Sequence, residues 1–229
     1  MTSPSAKTIS RRNAILGLLG ATGLGLIALR IHSGLTGLPP DPTLKMDPAL
    51  IGVLLPSPRE LQPFALIDHD QRPFVPATLL GKWTIAFFGY THCPDVCPIS
   101  MGLLAEVFGI LEKTPKALAG VQGVFVSVDA ARDTPEQLKA YVPFFHPDFL
   151  GVTGAQEAIH AFAKQVGAYY ALPPKSDDGD QSQLISHSSV FFLFDPKGQF
   201  TALFQPQLHQ PATMAELFIK IRQHYGEKV

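Results

Sequence analysis

The chain has 229 residues, 46% hydrophobic and 16% charged, which suffices for one well-buried domain with an appendage and leaves little room for two. A formal net charge of −1 without any Lys/Arg cluster leaves no electrostatic footprint for nucleic acid. The 21 prolines and 19 glycines are scattered among apolar runs, which argues against a disordered chain.

At the N-terminus, Arg11 and Arg12 precede an uncharged, mostly apolar run from Ala14 to Leu29, closed by Arg30. As a helix this run would span about 24 Å, short of a ~30 Å hydrocarbon core, although Arg30 can snorkel and extend its reach. Lys7, Arg11 and Arg12 ahead of the run put the N-terminus in the cytoplasm and the remainder outside. Residues 1–30 are therefore expected to be a membrane anchor or an export signal. SRRNAILG resembles a twin-arginine signal, but no small-x-small cleavage site follows, so the anchor is the preferred reading. The expected location is the cytoplasmic membrane, with the main domain facing the periplasm or cell exterior, where disulfides are permitted. Residues 31–60, Pro-rich and without periodicity, read as an extended tether, and residues 61–229 as the folded domain.

Within that domain FALIDHDQRPF, from Phe64 to Phe74, carries a hairpin signal. WTIAFFGY (Trp83–Tyr90) is a continuous apolar run, as expected of a central strand covered on both faces. From Pro98 onward Ile99, Leu103, Val107, Ile110 and Leu111 recur at helical spacing. GVFVSVDA reads as a second buried strand. DTPEQLKAYVPFF then opens a helix with Thr134 as N-cap, Pro135 first and Gln137 completing a capping box. FLGVTG suits a short strand, Ala155–Tyr170 a helix, PPKSDDGDQSQ a polar loop, SSVFFLFDPKGQFTALF a hairpin, and PATMAELFIKIRQHY a closing helix. Strands alternating with helices, followed by a late antiparallel hairpin, predict an α/β sandwich with a mixed sheet. The thioredoxin-like fold, here with an extra N-terminal hairpin, is one common solution.

Both cysteines of the chain lie in HCPDVCP, at the seam between the first buried strand and the helix after it. If the second half of the motif is helical, Cys93 and Cys97 project from one side, one turn apart. That spacing suits a disulfide and equally suits two thiolates on one metal ion. Pro94 and Pro98 stiffen the loop, and the helix N-terminus supplies positive potential that lowers a thiol pKa. Two thiolates make an incomplete site. Sulfur with imidazole suits copper, whereas structural zinc would want four ligands. Of the eight histidines, His32, His69, His146, His160, His209 and His224 have surface or packing explanations. His92 adjoins Cys93 but points to the opposite side in an extended segment. His187 lies at the mouth of a buried strand, which in an α/β sheet can share the edge where the cysteine loop emerges.

GKWTIAFFGYTHCPDVCP, then SVDAARDTPEQLKAYV, HPDFLGVTG and the histidine of SHSSVFFLFDPKGQF, together resemble the Sco (SenC) family, thioredoxin-fold copper proteins that help assemble the Cu(A) centre of cytochrome c oxidase. The resemblance runs in order from about Phe64 to the last helix and fits an N-terminal anchor. It implies copper, as Cu(I) or Cu(II), bound by Cys93, Cys97 and His187, with the two cysteines able to close into a redox disulfide. It also implies a partner in the copper-bearing oxidase subunit, and further exchange with copper chaperones or thioredoxin-like reductants.

The chain departs from the family in having Ser186 where an Asp often precedes the ligand histidine, and Ala130 and Ala131 where DPERDTP has Pro and Glu. Asp95, Asp129 and Arg132 match family positions, where loop hydrogen bonds or an ion pair explain them as well as a direct role does. The alternative to a metallochaperone is a thiol:disulfide oxidoreductase acting on the cysteines of the oxidase copper site. A CxxxC in place of CxxC, and Ser188-Ser189 where reductants carry a Pro, count against a general reductase. A peroxidase and a purely structural disulfide are weaker readings, the second because so small a loop gains little.

Overall fold

The computed structural model describes residues 46–114, 116–173 and 184–229. The chain enters through a 3-10 turn (Pro48–Leu50) capped by the Asp47 carboxylate, which accepts the Ala49 N–H at 2.9 Å. Strand β1 (Leu54–Arg59) follows, then the short strands β2 (Leu66–Asp68) and β3 (Pro73–Phe74), which form the expected hairpin. Next come β4 (Trp83–Gly89), helix α1 (Val96–Glu112), β5 (Val121–Ser127), α2 (Pro135–Tyr141), β6 (Leu150–Thr153) and α3 (Gln156–Val166). The two-residue strands β7 (Tyr170–Ala171) and β8 (Ser186–His187) pair with each other, and β9 (Phe191–Phe194), β10 (Phe200–Phe204) and α4 (Pro211–His224) close the fold.

Eight strands make one sheet in the order β1-β10-β9-β4-β5-β6-β2-β3. The centre, β4-β5-β6, is parallel and both margins are antiparallel, the mixed sheet that the element order implied. All of β4 is buried, and its side chains divide by parity. Odd residues face one way: Trp83 meets Phe218 of α4 at 5.9 Å, and Gly89 lies against Cys97 of α1. Even residues face the other: Phe88 meets Phe162 of α3 at 5.5 Å. Helices thus cover both faces, as a continuous apolar strand requires.

Thr134 caps α2 as expected, its hydroxyl accepting the Gln137 N–H at 3.3 Å. Helix α3 is shorter than its apolar pattern suggested, ending at Gly167 in the left-handed region (φ +76°), a backbone that glycine adopts without strain. Tyr170 therefore belongs to a strand.

The tether expected over residues 31–60 is overturned in its second half. From Met46 the chain is part of one compact unit, with Leu50, Val53 and Leu54 buried and β1 hydrogen-bonded along β10. Pro56 and Pro58 erase the strand pattern from the sequence, yet an edge strand tolerates proline because one row of its backbone groups has no partner to lose. The polar loop expected over 173–183 lies, apart from Pro173, outside the described residues, as does the anchor or signal expected over 1–30. Among the described residues no helix is long and apolar enough to cross a membrane.

Candidate metal centre

Sheet register brings three distant segments to one edge. Strand β9 runs antiparallel beside β4 with Phe191 opposite Phe87, so the segment entering β9, which carries His187, arrives where β4 ends and the cysteine loop begins. Strand β5 runs parallel to β4 with Ser127 opposite Gly89, so the loop Val128–Asp133 leaves from the same edge. Helix α1 starts at Val96, two residues earlier than the apolar pattern placed it, which puts Cys97 in its first turn and Cys93 in the loop before it.

The ligand atoms of Cys93, Cys97 and His187 all lie within 4.8 Å of one another, and both cysteines are free thiols. Cys97 is fully buried, whereas Cys93 and His187 are partly exposed. Gly89 makes room for the inner sulfur: a Cβ there would stand 2.7 Å from Cys97 Sγ. The Cys97 N–H, one of the unpaired donors at the start of α1, donates to Cys93 Sγ at 3.4 Å, and the Tyr90 N–H donates to Cys97 Sγ at 3.5 Å.

His187 Nε2 stands 3.1 Å from Cys97 Sγ, and Nδ1 stands 3.2 Å from the Ser188 carbonyl oxygen. A carbonyl can only accept, so Nδ1 carries the proton and Nε2 presents its lone pair to the sulfurs. Burial pushes the His187 pKa down, against a smaller upward pull from that carbonyl, and so favours the neutral ring that a metal needs. For Cys97 the expectation of a lowered thiol pKa is reversed: burial, chiefly, drives it far up, and without a metal Cys97 is a thiol donating to His187 Nε2. Two sulfurs and one imidazole form a soft three-donor set that fits copper and is one ligand short of structural zinc.

Around these ligands stands a layer of which sequence reasoning named Asp129 and Arg132 but missed Asp133, Phe87 and Tyr90. Asp133, fully buried, accepts the Thr91 N–H at 2.9 Å, the Thr91 hydroxyl at 2.6 Å and the Ser127 hydroxyl at 2.6 Å, which pins the turn ahead of Cys93 to the end of β5. Its signal was the Asp of ARDTP, but only the parallel register of β4 and β5 reveals its partners. Asp129 and Arg132 form a largely buried ion pair, and the Arg132 guanidinium lies 5.6 Å from the Tyr90 ring centre. Phe87 and Tyr90 each meet the His187 ring edge-on at 5.8 Å.

The other candidates stay outside the centre. Asp95 precedes α1 without a side-chain cap bond, and His92 is exposed beside Thr91 and Asp133. Ser186 is exposed on β8, opposite Ala171. His69, His146 and His160 engage Gly151, Glu112 and Tyr170 respectively. His32 lies outside the described residues.

The SCO1/SenC family model matches residues 55–222, spanning the sheet, the cysteine loop and His187. The chain belongs to the SCO1/SenC family. Among SCO1/SenC relatives, yeast mitochondrial protein SCO2 is 39% identical over 138 residues, 60% of this chain and 45% of that protein. A putative copper-binding protein of Stutzerimonas stutzeri is 35% identical over 173 residues, 76% of this chain and 82% of that one. The crystal structure of Arabidopsis thaliana ScoI with copper bound superposes with a TM-score of 0.64 at 35% identity, covering 71% of this chain and 98% of that one. The chain spans about half the length of the curated mitochondrial relatives it matches. With these SCO1/SenC neighbours the thioredoxin-like fold expected from the sequence is established.

Proposed function

We propose that this chain is a copper metallochaperone that holds the ion through Cys93, Cys97 and His187 and delivers it to the copper-bearing subunit of cytochrome c oxidase during Cu(A) assembly. The observation that carries the reading is the convergence of three soft donors within 4.8 Å, with the imidazole already fixed in the ligating tautomer. Copper here is cargo, and the protein's task is to take it up and let it go.

Each residue has a part in that task. Cys93, on the exposed side, is the sulfur an incoming or departing ion meets first. Cys97, held against Gly89 and the Tyr90 N–H, anchors the inner side and gives up its proton on binding. His187 accepts the Cys97 S–H in the metal-free protein and turns the same lone pair to the ion when that proton leaves. Disulfide exchange with an oxidised dithiol partner, which takes up the two electrons and two protons, would join Cys93 to Cys97, withdraw both sulfurs as ligands and so switch the centre off. Copper chaperones and thioredoxin-like reductants are the partners such a site would need for loading and for restoring the thiols.

We also propose that residues 1–30 anchor the chain in the cytoplasmic membrane, with the domain facing the periplasm or cell exterior. This rests on the basic residues ahead of the apolar run. Membrane fractionation with a reporter fused after the domain tests it.

Copper titration of the full chain and of Cys93→Ala, Cys97→Ala and His187→Ala tests the function. The expected result is one ion per wild-type chain, with affinity lowered at least about tenfold in every variant. Undiminished affinity in His187→Ala overturns the three-ligand site. Metal-free protein that instead reduces a disulfide in the oxidase subunit would move the reading to thiol:disulfide exchange.

A further inference from the structure

One residue touches two of the three ligands of the centre. The Tyr90 backbone N–H donates to Cys97 Sγ at 3.5 Å, and its ring meets the His187 ring perpendicular at 5.8 Å. Its hydroxyl, on a side chain buried with the rest of the residue, accepts the Ile185 N–H at 3.2 Å. Ile185 stands two residues before His187 and Tyr90 three before Cys93, so this bond ties the segment carrying the imidazole to the turn that opens the cysteine loop. The ring is held in place by the Arg132 guanidinium over it, itself ion-paired to Asp129.

We propose that Tyr90 is the positioning residue of this metal centre: its hydroxyl clamps the His187 segment to the turn ahead of the cysteine loop, and so sets copper affinity and the geometry in which the imidazole meets the ion. The inference rests on the copper reading above and deepens it. A ligand imidazole held less firmly changes the ligand field at the ion as well as the affinity, so the metal's electronic spectrum reports its placement.

Tyr90→Phe in the full chain keeps the ring, its burial and its contact with His187, and removes only the hydroxyl. Tyr141→Phe is the matched control: its hydroxyl is buried near the two sulfurs but makes no hydrogen bond. Cu(I) affinity by chelator competition should fall about tenfold in Tyr90→Phe and stay at the wild-type value in Tyr141→Phe. The Cu(II) thiolate absorption band should shift in the first variant alone, and the Ile185 amide should exchange faster in its metal-free form. Wild-type affinity and an unshifted band in Tyr90→Phe overturn the inference while leaving copper binding intact. An equal loss in Tyr141→Phe overturns it too, because the effect would then belong to any polar group near the sulfurs. A wild-type chain that takes up no copper overturns the proposed function and this inference with it.

Discussion

His187 is fixed in one tautomer by a backbone carbonyl, so the residue that supplies that carbonyl contributes nothing through its side chain. The Ser188 hydroxyl is buried without a hydrogen-bond partner. Ser188→Ala is therefore expected to leave copper affinity within about twofold and stability unchanged or raised by up to about 1 kcal/mol, since a buried orphan hydroxyl is lost; chelator competition and thermal melting check both. Acid dependence follows from the imidazole. Its pKa is lowered in the folded protein from the ordinary value of 6.5, so below that value the unfolded chain binds a proton that the folded one refuses. Stability of the metal-free protein should accordingly decline as pH falls from about 6.5 toward the lowered value, and the decline should be shallower in His187→Ala when urea midpoints are compared across that range. Asp133 works through position alone. Asp133→Asn leaves at least one of its three donors poorly paired, which should cost about 1–3 kcal/mol of stability and lower copper affinity through the slackened turn at Thr91.

Among elements, β4 does the most for the site, because its register with β9 and β5 decides what meets the cysteine loop. Its last residue, Gly89, sits where an added methyl would press on Cys97 Sγ at 2.7 Å and on the Phe87 ring at 2.8 Å. Gly89→Ala is expected to destabilise the fold by about 1–3 kcal/mol in chemical denaturation and to displace the inner sulfur, weakening copper binding with all three ligands still present. The central strand was legible in WTIAFFG because seven consecutive buried residues leave a continuous apolar run. Helix α1 was legible too, although its start was set two residues late because Pro98 resembles a first helical residue when it is in fact the third. Strands β7 and β8 were not legible: two residues each carry no period, and they exist because Tyr170 and His187 pair across the sequence. The cysteines announced themselves by spacing, and His187 by its place before an apolar strand. Asp133 and Tyr90 could not, since their partners come from other strands.

For the molecule as a whole the informative misreading is β1, because LLPSPR has the composition of a linker and the role of an edge. Beginning the domain at Leu61, where the sequence alone would cut, removes β1, uncovers β10 and takes away buried Leu50, Val53 and Leu54. Each such side chain contributes about 1.5–3 kcal/mol when buried. A fragment starting at Leu61 should therefore melt at least several degrees below one starting at Met46, and it should self-associate through the newly open strand in light scattering.

The two sulfurs of the centre differ in a way that reaches beyond ligand geometry. Cys97 is sealed between α1, Gly89 and the Tyr90 backbone, and Cys93 opens outward. A maleimide added to the native, metal-free protein should thus count one cysteine and find the second only after denaturation. On the proposed copper reading the same asymmetry gives a handover its direction: Cys93 is the accessible sulfur from which an acceptor would begin its exchange, so the thiolate traffic passes through one door.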